Sequence, residues 1–405
     1  DLNLVRLGQS AIDDLERRYP AMTDVWPLSP LQAGMLFHAE LADESVDAYL
    51  VQLILDLAGD VDAARLRRAA GALLDRHPNL RSAFCHDADG GAVQVVSGRV
   101  TVPWREIDLS GLDGDAAETE IERLLAADRT TPFDMATAPL IRFLLVWTAG
   151  GRCRLVSTNH HILLDGWSMP LMIRELLTLY ATDADPSPLP RVRDYRDYLA
   201  WMSGRRDAGL SARAWADALD GVEEPTLLIP ADRARQLSTV SREWVFDLDE
   251  DRTDRLRESA RTRGLTLNSI LQTAWGIVLG MLTGRDDVVF GATVSGRPPE
   301  LAGIETMVGL FINTVPVRVT LRPDETLGAL LERVQAEQAA MLDHHYTGLA
   351  EIRDAAGPGA GFDTLTVFES YPVDRAGLSE DTDIAGLRVT GVDARDAAHY
   401  PLSLV

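Results

Sequence analysis

Two β-rich runs, Ile141 to Thr148 and Arg152 to His160, flank Ala149-Gly150-Gly151 and constrain this chain more than any other stretch. A short glycine turn between two such runs predicts an antiparallel hairpin. The second run leads into His160-His161-Ile162-Leu163-Leu164-Asp165-Gly166. A helix is expected from about Pro170 to Tyr180, with Ser168 as its cap. The chain there reads strand, tight loop, helix.

Helical periodicity also marks Val5 to Tyr19 and Val61 to Arg76, where Ala64, Leu66, Ala69, Ala70, Leu73 and Leu74 share one face. Tyr49 to Leu57 alternates as a strand. The densest proline run, Asp185-Pro186-Ser187-Pro188-Leu189-Pro190, predicts a boundary: a first half over 1–180, a linker over 181–194 and a second half over 195–405. A length of 405 residues suits two or three domains. In the second half, helices are expected at Arg252 to Arg263, Leu267 to Leu282 and Leu327 to Leu342. Strands are expected at Trp244 to Leu248, Asp287 to Ser295, Thr314 to Val319 and Phe362 to Glu369. No internal repeat of fixed period is present.

Composition removes whole classes of function. Hydrophobic residues at 46% and charged residues at 25% exclude a disordered or collagen-like chain. Cys85 and Cys153 are the only cysteines, which argues for a reducing compartment and against a structural zinc site. No apolar run reaches about 18 residues and no signal sequence opens the chain, so a soluble, cytoplasmic protein is expected. The balance 39 − 62 = −23 repels phosphate backbones and anionic lipid, so neither nucleic acid nor a membrane is an expected partner. The basic cluster Arg65, Arg67, Arg68 remains available to an acidic protein. Asp at position 1 and Leu402-Ser403-Leu404-Val405 in an apparent strand suggest a segment of a longer polypeptide.

The histidine pair admits three readings. Neighbouring histidines at a strand end face opposite sides, so one could simply be a buried, hydrogen-bonded core residue. A metal site would need a third ligand beside the two histidines and Asp165, and the His-x-x-x-His spacing is absent. The catalytic reading has one histidine anchoring the loop and the other facing a cleft, with Asp165 and Gly166 forming a sharp, rigid turn. A neutral imidazole accepts a proton from an amine or hydroxyl near neutral pH. Gly-x-Ser-x-Gly is absent, so direct transfer to a bound nucleophile is implied, without a covalent acyl-enzyme.

His160-His161-Ile162-Leu163-Leu164-Asp165-Gly166-Trp167-Ser168 resembles the HHxxxDG motif of nonribosomal peptide synthetase condensation domains, within the chloramphenicol acetyltransferase superfamily. Further matches follow along the chain. Pro27-Leu28-Ser29-Pro30-Leu31-Gln32-Ala33-Gly34-Met35-Leu36-Phe37-His38 resembles the opening motif, and Arg76-His77-Pro78-Asn79-Leu80-Arg81-Ser82-Ala83-Phe84 the second. Tyr195-Arg196-Asp197-Tyr198-Leu199-Ala200-Trp201 resembles the motif after the linker. Gly291 to Pro298 and Met307 to Thr314 resemble the long motif of the second lobe. The family continues past a segment like His399-Tyr400-Pro401-Leu402, so its closing strands and helix are expected to be missing.

The resemblance implies an α/β fold: two chloramphenicol acetyltransferase-like lobes, each a mixed sheet with flanking helices, in a V shape with a tunnel between them. It implies upstream and downstream carrier proteins and adjacent synthetase domains as partners. The domain itself binds no cofactor, and the carriers supply phosphopantetheine arms bearing the thioesters. His161 is then the reacting centre, taking the acceptor's proton or orienting the amine and stabilising the tetrahedral state. Positioning of the two arms contributes much of the rate. Gly166 keeps the passage open or lends its amide to the oxyanion. His160 supports the loop. Asp165 is structural and pairs with an arginine, Arg297 first, with Arg76 and Arg81 as rivals. Ser295, Asn313 and Trp167 are candidates for contacts along the tunnel.

Blander readings accompany several of these. Arg76 and Arg81 are expected as structural ion-pair formers, and Phe37 and His38 as helix core. Met307 to Thr314 is expected as buried strand, and His344 and His345 as solvated or capping residues. The leading function is amide formation between carrier-bound substrates, with an opening motif like the subtype taking a D-configured donor. An epimerisation domain, a coenzyme A acyltransferase and a non-catalytic docking module of the same fold are the alternatives. The product would belong to antibiotic or siderophore chemistry.

Overall fold

The computed structural model describes residues 4–41, 49–205, 208–230, 242–369, 382–396 and 400–405. The strands are β1 (Met22–Pro27), β2 (Leu50–Gly59), β3 (Ser82–His86), β4 (Ala92–Ser97), β5 (Trp104–Asp108), β6 (Ile141–Thr148), β7 (Arg152–His160), β8 (Asp287–Ser295), β9 (Ile312–Thr320), β10 (Thr364–Thr366), β11 (Leu387–Arg395) and β12 (Leu402–Leu404). The helices are α1 (Gln9–Arg18), α2 (Pro30–Leu41), α3 (Ala63–Arg76), α4 (Gly114–Arg129), α5 (Ser168–Ala181), α6 (Tyr195–Gly204), α7 (Ala208–Ala218), α8 (Glu250–Arg263), α9 (Leu267–Thr283), α10 (Leu327–Ala340) and α11 (Leu349–Ala356).

The chain forms two compact units: Asp1–Arg205 with Arg297–Phe311 and Tyr371–Ala397, and Arg206–Gly296 with Ile312–Ser370 and Ala398–Val405. The division therefore falls after Arg205, whereas the proline run had suggested 181–194. Packing explains the difference. Tyr195, Tyr198, Leu199 and Met202 of α6 share one apolar cluster with Trp26, Val96, Ile304, Met307 and Phe311, so α6 and Arg297–Phe311 belong to the first unit.

In the first unit the hairpin forms over the expected residues, with Ile141 opposite Asn159 and Thr148 opposite Arg152. Gly150 and Gly151 have φ of 77° and 71°, a left-handed backbone that glycine enters without steric cost. Strands order as β11-β2-β7-β6-β5, antiparallel except for the parallel β6/β5 pair. Alternation then distributes the side chains. Ile54, Leu144, Val146 and Val156 pack with Ile121, Leu124 and Leu125 of α4. Leu53, Leu55, Phe143, Leu155 and Ser157 face Leu73 of α3 and Met172, Ile173 and Leu176 of α5. A sheet covered on both faces requires runs as apolar as these. A smaller antiparallel sheet, β1-β4-β3, lies in the same unit.

In the second unit the mixed sheet is β12-β10-β8-β9. Trp275 and Leu279 of α9 and Leu330 and Val334 of α10 pack on Val288, Phe290, Val317 and Val319. Trp215 of α7 and Ile352 of α11 join Val289, Val315 and Phe362 in a second cluster.

Several expectations are corrected. Residues 244–248 form no ladder among the described residues, and Trp244 is 86% exposed. The strand expected over Phe362 to Glu369 shortens to Thr364–Thr366. Phe37 and His38 are exposed, because α2 turns Gln32, Met35 and Leu36 inward instead. His344 and His345 are half-buried. Ser211 Oγ and His344 Nδ1 lie 3.0 Å apart, and burial beside His344 pushes the His345 imidazole down to about 4. Ser168 is the first residue of α5, not its cap. His399 lies outside the described residues. Among those residues no single helix is long and apolar enough to cross a membrane, and no group of three His, Cys, Asp or Glu is arranged to hold a metal ion.

Candidate active site

β7 ends at His160, and a single 3₁₀ turn, His161–Leu163, follows. His160 is fully buried and His161 is half-buried. The two rings have opposite roles. His160 Nδ1 accepts from Ile162 N–H at 3.0 Å, so a neutral His160 carries its proton on Nε2; its ring lies 5.9 Å from that of Tyr49. His161 Nδ1 lies 2.8 Å from Leu164 O. A carbonyl only accepts, so in the neutral His161 ring the hydrogen-bond network places the proton on Nδ1 and leaves the lone pair on Nε2.

The loop beyond is anchored by charge. Asp165 Oδ1 accepts from Arg297 at 3.1 Å, from Ser168 N–H at 3.0 Å and from the Ser168 hydroxyl at 2.8 Å. Its Oδ2 accepts from Phe311 N–H at 3.0 Å. Arg297 also donates to Ile304 O and Met307 O, at 2.6 and 3.0 Å, and its guanidinium lies 3.9 Å from the Phe311 ring centroid. Burial lowers the Arg297 pKa from its ordinary value, opposed by Asp165. Both charged side chains are enclosed, at 8% and 1% exposure. Such a pair holds its geometry because leaving either charge alone costs more than the pair gains.

Arg76 and Arg81 act elsewhere. Arg76 donates to Glu175 of α5 at 2.8 Å and to Pro190 O. His77 Nε2 lies 2.7 Å from the same carboxylate oxygen. Burial raises the Glu175 pKa, but the bonds to His77 and Arg76 outweigh it and hold the group below its ordinary value. Among the described residues Arg81 forms no ion pair. It donates to the carbonyls of Leu74, Ser97 and Gly98, and burial lowers its pKa.

Of the remaining candidates, Gly166 is half-buried and accepts from Met169 N–H at 3.2 Å. Trp167 donates its indole N–H to Glu305 O at 3.1 Å. Ser295 ends β8 with its side chain exposed. Asn313 sits in β9 with both amide hydrogens engaged: Nδ2 donates to His345 O at 2.7 Å and to Thr347 O at 2.8 Å. Its place is a clamp on the 342–347 turn.

Two side chains that the sequence had offered only as parts of motifs complete the loop's support. Gln32 Nε2 donates to Ile162 O at 3.0 Å, and Asn79 Nδ2 donates to Leu163 O at 3.2 Å. The available signal was a polar amide in apolar company, Gln32 before Met35-Leu36 and Asn79 before Leu80, since buried amides need partners.

The family model described as "Condensation domain" matches residues 22–405. The chain belongs to the condensation-domain family. Condensation domains of nonribosomal peptide synthetases are amide-forming acyltransferases. Bacitracin synthase 3 of Bacillus licheniformis is 34% identical over 384 residues, covering 94% of this chain and 6% of that protein. Vanchrobactin synthetase VabF of Vibrio anguillarum is 33% identical over 407 residues, covering 99% of this chain and 14% of that protein. This condensation-domain chain thus spans a small fraction of the synthetases it matches. The first condensation domain of the calcium-dependent antibiotic synthetase, solved with a substrate analogue, shares the fold at a TM-score of 0.72. It is 24% identical, over 91% of this chain and 83% of that one.

Proposed function

We propose that the chain joins two carrier-tethered substrates through an amide bond. The acceptor amine attacks the donor thioester carbonyl, the carbon–sulfur bond breaks, and the amine proton passes to the departing sulfur by way of His161 Nε2. No acyl-enzyme forms. The observation that carries this reading is the half-exposed His161 ring, whose Nδ1–H is committed to Leu164 O so that Nε2 keeps its lone pair. The fixed tautomer supports proton acceptance. The same geometry lets the ring orient the amine as it attacks.

His160 holds the turn from inside, and the Asp165–Arg297 pair holds the loop that follows. Gly166 is proposed to sit against the reacting groups, with Ser295 and Trp167 as substrate contacts. The phosphopantetheine arms come from partner carrier proteins, upstream and downstream, within a larger synthetase. The opening motif Ser29 to His38 supports a D-configured donor.

A single-turnover reaction with loaded donor and acceptor carriers tests the proposal, comparing native protein with His161→Ala and Asp165→Ala. Amide that appears with native protein and is lost with His161→Ala supports it. Exchange of donor D and L forms without amide would assign epimerisation instead. Carrier binding with no product from any pair would make the chain a docking module.

A further inference from the structure

The turn beyond β7 is irregular, yet each of its peptide units is held. His161 N–H donates to Tyr49 O at 2.7 Å, and Ile162 N–H donates to His160 Nδ1 at 3.0 Å. Gln32 holds the Ile162 carbonyl and Asn79 the Leu163 carbonyl. Asp165 N–H donates to Gly309 O at 3.0 Å. A peptide unit is planar, so one bond to its carbonyl or N–H restrains the whole plane. Consecutive planes from 160 to 165 are thereby pinned from separate parts of the first unit. The last of them carries the Leu164 carbonyl that binds His161 Nδ1.

We infer that Gln32 and Asn79 are positioning residues for His161, an assignment that rests on the function proposed above. Both side chains are buried, at 1% and 3% exposure. Without the Asn79 amide, the Leu163 carbonyl loses its donor in a dry environment, and its peptide plane, left with only the 3.2 Å bond from Leu164 N–H to His161 O, turns about that bond toward another donor. The adjoining plane keeps its bond from Asp165 N–H to Gly309 O but swings about it, and the Leu164 carbonyl tilts off the line of the His161 Nδ1–H bond. With that bond weakened, the tautomer protonated on Nε2 competes, and it has no lone pair facing the amine. Gln32 acts in the same way one plane earlier. Its Oε1 accepts from Ser29 N–H at 2.9 Å, so its amide orientation is set by the residue that precedes α2. Supporting bonds of this kind hold a reacting group to within about 0.5 Å of its working geometry.

The test combines kinetics with selective ¹⁵N labelling of histidine, the His161 signals being assigned with His161→Gln. In native protein at neutral pH, His161 is expected to show a protonated Nδ1 and an unprotonated Nε2. Asn79→Ala and Gln32→Met are each expected to shift His161 toward the Nε2-protonated pattern. They should lower kcat for amide formation about tenfold, which is about 1.4 kcal/mol, with KM for the acceptor changed less than twofold. A native ¹⁵N pattern in both variants overturns the inference, whatever happens to the rate; so does a shifted pattern with an unchanged rate. If Asn79→Ala does not fold, Gln32→Met decides alone. If native protein makes no amide, the proposed function falls, and the substrate-free spectra still decide whether these amides set the ring.

Discussion

At the scale of single residues, the account turns on groups whose surroundings leave them one role. Asp165 and Arg297 are buried together, so Asp165→Asn removes the charge that Arg297 was paired with while keeping the shape. We expect a loss of about 3–5 kcal/mol in urea unfolding; a variant within about 0.5 kcal/mol of native would contradict the clamp. His345 gives a pH-dependent case. Its folded pKa of about 4 lies below the unfolded 6.5, so the unfolded chain binds the extra proton between those values. Its contribution is therefore complete above pH 6.5 and lost as pH falls toward 4, worth up to about 3 kcal/mol. His345→Gln should flatten the acid side of the stability profile in that window, and parallel profiles would refute it. The residue partners themselves were only partly legible. Asp165 and Arg297 lie 132 positions apart, and periodicity cannot join positions so distant; family resemblance favoured Arg297, while Arg76 and Arg81 stood as rivals until the structure gave them other partners.

Elements were more legible where the local signal was unambiguous. The β6/β7 hairpin was readable because Gly150-Gly151 forces a reversal and both flanking runs suit a sheet buried on two faces. Trp244 to Leu248 is just as rich in strand-forming side chains, yet such propensity does not report whether a ladder exists to receive them. For α2, an apolar run suggested core, but the helix spends its inner face on Gln32, Met35 and Leu36 and turns Phe37 outward at 57% exposure. Helix-to-sheet distance shows the same dependence on partners. A Cβ on Gly276 of α9 would stand 2.7 Å from the Val319 side chain of β9, so the helix rests on the sheet only because this residue has none. Gly276→Ala is expected to destabilise by about 1–3 kcal/mol. Adding Val319→Ala should recover part of that loss in a double-mutant cycle, and strict additivity would show that the contact is not the cause.

For the whole molecule, chain order and physical grouping diverge. Arg297–Phe311 lies between β8 and β9 in sequence, both of the second unit, yet it packs with Trp26, Tyr195 and Tyr198 of the first. A boundary placed by proline content cannot anticipate that, because it registers the linker and not the return of a later segment. The Asp165–Arg297 pair is the charged contact among the bonds that tie this segment to the loop bearing His161, beside those to Gly309, Phe311 and Glu305. Hydrogen exchange of Asp165→Asn should therefore quicken in 297–311 while β8 and β9 keep native protection; uniform quickening would mean the pair has no special hold on the segment. These interactions converge on one turn, and the claim they support is that His161 performs the proton transfer of amide formation. The most direct measurement is the single-turnover rate of amide formation with saturating loaded carriers, for native protein and for folded His161→Ala. The account predicts a fall of about 10²–10⁴-fold, whereas a variant within twofold of native would contradict it.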